Sequence, residues 1–154
     1  METDAGIRSR YQIRVARVSL VSDAPKPTDL LNEPALVKEM LRAFFATLEP
    51  DSEYTVGVYL NARNRLLSVR VCYKGTLDRA MVEPRELLRD ALLQGACGLI
   101  LSHNHPSGDP TPSREDREFT RRLASGCESV GVRLLDHIIV GDPTCASMRE
   151  MGLL

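Results

Sequence analysis

Two histidines one residue apart, His103 and His105, lead into a loop holding Pro106, Pro110 and Pro112, and then into Ser113 and Asp116 at the head of a charged, helix-like run. The stretch reads LILSHNHPSGDPTPSREDREFT, and its spacing is H-x-H-x(7)-S-x-x-D. In an extended backbone, residues two apart point to the same side with Cα atoms about 7 Å apart, a workable bite for two imidazoles on one ion. Two imidazoles and a carboxylate suit zinc, which takes such ligands at about 2.0–2.2 Å in a tetrahedron. Three protein ligands leave the fourth position for a water, whose pKa falls to about 7 on the metal. The same spacing has a rival meaning. Ser113 and Asp116 also form a capping box, with Asp in place of the usual Glu or Gln. Both uses suit Ser113, but they compete for the Asp116 carboxylate, and the spacing alone leaves that open.

The surrounding elements must aim these groups. CGLILS reads as a short buried strand delivering His103, and an amphipathic helix over 113–130 returns Asp116. Upstream, YQIRVARVSLV reads as a first strand, and EPALVKEMLRAFFATLE as a helix with Asn32 as candidate N-cap and Pro34 in its first turn. SEYTVGVYL and RLLSVRVCY, joined by NARN, read as a hairpin. EPRELLRDALLQGA reads as a helix with Gly95 near its end, VRLLDHIIVG as a last strand, and a short helix closes the chain. KGTLDRAMV is irregular. The fold class is α+β (mixed α/β): one domain over 11–154, with a single mixed sheet flanked by helices, and a frayed tail over 1–10.

Composition excludes several classes. The 154 residues suffice for one domain with its own core. Lys and Arg number 20 against 21 Asp and Glu, so net charge does not support nucleic-acid binding. Cys72, Cys97, Cys127 and Cys145 show no C-x-x-C pairing and read as reduced thiols of a cytoplasmic protein. There is no signal-peptide or membrane-spanning run. Zinc deaminases need H-x-E and P-C-x-x-C, and neither occurs. The third histidine, His137, follows Asp136, and strand alternation lets only one of the two face the site; a structural role or one behind the ligands fits His137. Arg114, Arg117 and Arg121 share a helix side with interleaved acids and read as a solvated face.

HNHPSGDPTPSREDREFT resembles the signature of RadC-type proteins, a bacterial branch of the JAMM (MPN-like) zinc metalloprotease superfamily. VEPRELLRDALLQGACGLILSHNHPSG, LLDHIIVG, YQIRVARVSLV and DSEYTVGVYLNARNRLL are similar to that family's flanking segments, so the likeness covers about residues 11–153. It implies a cytidine-deaminase-like/MPN-type architecture and Zn²⁺ held by His103, His105 and Asp116. It also implies that Ser113 supports the oxygen of the tetrahedral intermediate and that an upstream Glu takes the water's proton. Glu53 occupies that Glu's place, and its parity with Thr55, Gly57 and Tyr59 points it away from the apolar side of its strand. Family members often carry a second Glu in the return strand, where this chain has Arg70. The helix-hairpin-helix region of longer members has no counterpart here, so a DNA-binding role resting on it does not carry over.

The implied activity is hydrolysis of a peptide or isopeptide bond in a protein or peptide substrate of unknown identity. The alternative is a non-catalytic domain serving DNA repair or mobile-element biology through a partner. A metal-dependent nuclease or phosphatase, which often uses two metals and more carboxylates, fits one His-His-Asp cluster less well.

Overall fold

Every residue of strand β1 (Tyr54–Leu60) is buried. A strand covered on both sides belongs inside a sheet with structure on both faces. The computed structural model, which describes residues 31–75 and 83–154, has this arrangement. The expected tail over 1–10, the first strand of YQIRVARVSLV and residues 76–82 of the irregular segment lie outside the described residues. Helix α1 (Pro34–Phe45) is followed by β1, β2 (Leu66–Lys74), α2 (Pro84–Gln94), β3 (Gly98–Asn104), α3 (Arg114–Ser129), β4 (Arg133–Val140) and β5 (Cys145–Ser147). The five strands among the described residues form one mixed sheet in the order β2-β1-β3-β4-β5, with β3 and β4 parallel and the other pairs antiparallel. A parallel pair needs a long crossover, and α3 supplies it.

Two apolar cores result. On one face α1 brings Val37, Leu41 and Phe45 against Val56, Val58, Leu60, Ile100, Ile138 and Val140. On the other, α2 and α3 bring Leu87, Ala91, Phe119, Leu123 and Cys127 against Tyr59, Leu99 and Leu101. The parity of Glu53, Thr55, Gly57 and Tyr59 therefore does not lead away from a core. It leads into the second core, of which the candidate site is one end.

Local chemistry explains two further departures from the sequence reading. The first helix is capped by Glu33, not Asn32, and without a side-chain hydrogen bond. Pro34 forces the residue before it into an extended conformation, and Glu33 sits at φ −111°, ψ 127°. The chain does not close in a helix: after β5 it makes turns. The Asp136 carboxylate accepts from Ser147 Oγ at 2.6 Å and from Arg149 N at 3.1 Å, drawing this segment onto β4.

Candidate metal centre

Strand β3 runs through Asn104, two residues further than CGLILS suggested, so His103 lies within the ladder opposite Thr55 of β1. His103 is fully buried and His105, just past the strand, is partly open. Their Nε2 atoms lie 2.9 Å apart. The Asp116 carboxylate reaches the same point, with Oδ1 3.2 Å from His103 Nε2 and Oδ2 3.7 Å from His105 Nε2.

The loop returns the carboxylate by specific devices. His105 N donates to Val140 O and Asp142 N donates to Gly108 O, docking the loop on the end of β4. Gly108 has φ +84°, a conformation that glycine adopts without steric cost. A Cβ on Gly141 would sit 2.3 Å from Gly108 O, so this crossing needs a residue without a side chain. Asp109 Oδ1 accepts from Thr111 N and Thr111 Oγ1, an Asx turn. That turn presents the Asp109 carbonyl to His105 Nδ1 at 2.6 Å. A carbonyl only accepts, so His105 carries its proton on Nδ1 and aims the Nε2 lone pair inward.

The rivalry over Asp116 resolves into a division of labour. Ser113 Oγ accepts from Asp116 N, and Asp116 Oδ2 accepts from Ser113 N at 2.7 Å, a complete capping box at the start of α3. Oδ1 remains turned to His103. Burial pushes the Asp116 carboxyl up, but hydrogen bonds from His103 and Ser113 and the charge of His103 outweigh it, holding the group well below the usual range.

Glu53 joins the cluster: one of its carboxylate oxygens and one nitrogen from each of His103 and His105 all lie within 4.8 Å of one another. It also lines an open groove of about 480 Å³ with Asp51, Ser52, Lys74, Gly75 and Pro106. Sequence reasoning missed what puts it there. Asn104, the middle residue of H-x-H, donates from Nδ2 to Ser52 O at 2.9 Å and accepts from Tyr54 N at 2.8 Å. Its amide thus brackets Glu53 on both sides. Arg70 faces the same layer opposite Gly57, but its guanidinium turns to the buried Asp90 of α2, 3.6 Å away.

Behind this cluster, His103 Nδ1 lies 2.8 Å from His137 Nε2, and His137 Nδ1 lies 2.6 Å from Thr120 Oγ1. A register slip between Leu99 and Ile100 pairs Leu99 with Leu134 but Ile100 with Asp136. The extra residue in β4 turns Asp136 to the α1 side and His137 to the site side, as a bulge does. Burial keeps His137 neutral, its pKa pushed well below the ordinary value. Thr55 Oγ1, also buried at this end, has no hydrogen-bond partner among the described residues.

The donor set fits a zinc ion. Ligand bonds of 2.0–2.2 Å at tetrahedral angles place donor atoms about 3.3–3.6 Å apart. His103 Nε2 lies 2.9 Å from His105 Nε2 and 3.2 Å from Asp116 Oδ1, slightly under that span, while the 3.7 Å approach to His105 Nε2 is made by the other Asp116 oxygen, Oδ2. Three electron-rich atoms meeting in a buried place need a cation, a proton or a metal, among them.

Comparison with known proteins agrees with this architecture. A family model described as the RadC-like JAB domain matches residues 31–153. The UPF0758 protein of Symbiobacterium thermophilum is 45% identical over 134 residues, covering 86% of this chain and 56% of that protein. The UPF0758 protein of Thiobacillus denitrificans is 41% identical over 144 residues, covering 92% and 62%. That of Halalkalibacterium halodurans is 49% identical over 102 residues, covering 66% and 44%. The chain thus spans about half the length of the curated relatives it matches. With the matched model covering residues 31–153, from before α1 through the turns after β5, this protein belongs to the RadC-like JAB domain family.

Proposed function

We propose that the chain is a zinc-dependent hydrolase of peptide or isopeptide bonds. The observation that carries this reading is the meeting of His103, His105 and Asp116 at one point, with Glu53 beside them at the mouth of a groove. His103, His105 and Asp116 would hold the zinc ion, which would supply a Lewis acid and lower the pKa of water to about 7. Glu53, half-buried and on the open side, takes the proton from the attacking water and passes it to the leaving amine. Ser113 Oγ accepts the Asp116 amide proton in the cap, so its own hydroxyl proton is available to the developing oxyanion. Asn104 and the Asp109 carbonyl hold Glu53 and His105 in orientation.

The test has two arms. Protein purified without chelator should hold about one zinc per chain, the count expected of a mononuclear site. Glu53→Gln should keep that zinc and lose about 10²–10⁴-fold in hydrolysis of any peptide or isopeptide the wild type cleaves. Absence of zinc under zinc-replete conditions defeats the reading. Equal turnover by Glu53→Gln removes Glu53 as the base.

A further inference from the structure

A metal on His103 Nε2 requires the ring's single proton to sit on Nδ1 and to find an acceptor in the buried interior. The atom facing Nδ1 is His137 Nε2 at 2.8 Å, itself a group that can be donor or acceptor. Its role is set by what lies beyond it. His137 Nδ1 meets Thr120 Oγ1 at 2.6 Å, and Thr120 Oγ1 is 2.6 Å from Asp116 O and 3.5 Å from Met148 Sδ. A carbonyl oxygen and a thioether sulfur only accept. When the Thr120 hydroxyl donates to either, it offers only lone pairs to His137. His137 then carries its proton on Nδ1 and turns the bare Nε2 toward His103. The opposite polarity leaves His103 with its proton on Nε2, aimed at His105 and Asp116, where it excludes a metal.

We propose that His137 and Thr120 are positioning residues that hold His103 in the one tautomer able to bind zinc, through a chain running His103, His137, Thr120 and the Asp116 carbonyl. The chain begins at one ligand and ends on the backbone of another, so it also ties β3, β4 and α3 together around the ion. Thr120 stands one helical turn after Asp116, which puts both on the same side of α3. The register slip in β4 puts His137 between them. This inference rests on the zinc site proposed above.

The test is zinc affinity, measured by chelator competition on the whole chain, for wild type, Thr120→Val and Thr120→Ser. Valine keeps the shape and removes the hydroxyl. Serine restores the hydroxyl with less packing. Thr120→Val should bind zinc 10–100-fold more weakly, as loss of a partner behind a ligating histidine does, and Thr120→Ser should recover the affinity. ¹⁵N imidazole spectra of the zinc-loaded wild type should place the proton of both His103 and His137 on Nδ1. Unchanged affinity in Thr120→Val, or a His137 proton on Nε2, overturns the inference while the zinc reading stands. Equal losses in Thr120→Val and Thr120→Ser show a packing effect and also overturn it. A wild type that takes up no zinc defeats both.

Discussion

At one end of the layer between the sheet and helices α2 and α3, Leu87, Ala91, Leu99, Leu123, Cys127 and Val132 close on one another with no more than a few per cent of each side chain exposed. At the other end, with β3 and α3 again contributing, Thr55, His103, Asp116, Thr120 and His137 are buried as deeply. Strand β3 shows the change in three steps, Leu99, Leu101 and His103, all facing one way. Equal burial has opposite consequences. Hydrocarbon gains from leaving water, whereas a buried polar group costs free energy unless it is bonded. The polar end offsets that cost by bonding its members to one another, except at Thr55. One end therefore holds the fold and the other holds the proposed metal site, and substitutions should separate the two.

The largest effect is expected at the polar end. Asp116→Ala removes the proposed carboxylate ligand, which is also the carboxylate of the capping box. Zinc affinity should fall by more than the roughly 100-fold upper figure for partners behind the ligands. Stability should fall by only about 1 kcal/mol, the scale of a lost cap. Metal content and denaturant midpoints measured on one preparation check both. Full zinc occupancy in this variant would mean that Asp116 only caps the helix.

At the apolar end the balance should reverse. Leu123 is fully buried in α3, and Leu123→Ala should cost about 2–5 kcal/mol. The folded fraction should still take up zinc in the wild-type ratio. A loss of zinc from folded Leu123→Ala would show that the two ends are coupled and not separable.

The same contrast explains what could be read in advance. The His103–His105–Asp116 cluster was legible because strand period and helix start are local properties. Pro34 and Pro84 likewise announced their helices. The position of Glu53 was suggested by resemblance and only permitted by strand parity, since its support, the Asn104 amide, becomes informative only when β3 lies beside β1. Which of Asp136 and His137 faces the site depends on a one-residue slip that the run VRLLDHIIV does not display. The cap at Glu33 was readable from Pro34, because the residue before a proline is held extended.

Ser113 sits at the boundary of the two regions, and its substitution should be milder. Ser113→Ala removes the acceptor for Asp116 N, at a cost of about 1 kcal/mol. Asp116 Oδ2 keeps its bond from the residue 113 backbone amide, so zinc stoichiometry should hold. Loss of zinc here would mean that the hydroxyl, and not only the backbone, keeps Asp116 aimed.

The smallest effect tests whether burial acts alike at both ends. It drives His137 down and the Cys127 thiol up to about 11 from 9.0, each toward its neutral form. For Cys127 the folded-state value lies above the unfolded one. Its contribution to stability is therefore complete below pH 9.0 and is lost as pH rises toward about 11. Between pH 9 and pH 10 the loss should be on the order of 1 kcal/mol. Cys72 and Cys145 are also shifted upward by burial, so the comparison must be differential. Denaturation midpoints of wild type and Cys127→Ala, followed from pH 8 to pH 10, should converge as pH rises. Parallel curves would mean that water reaches this thiol in the folded protein, and the apolar end would not be the dry half of the layer that its packing implies.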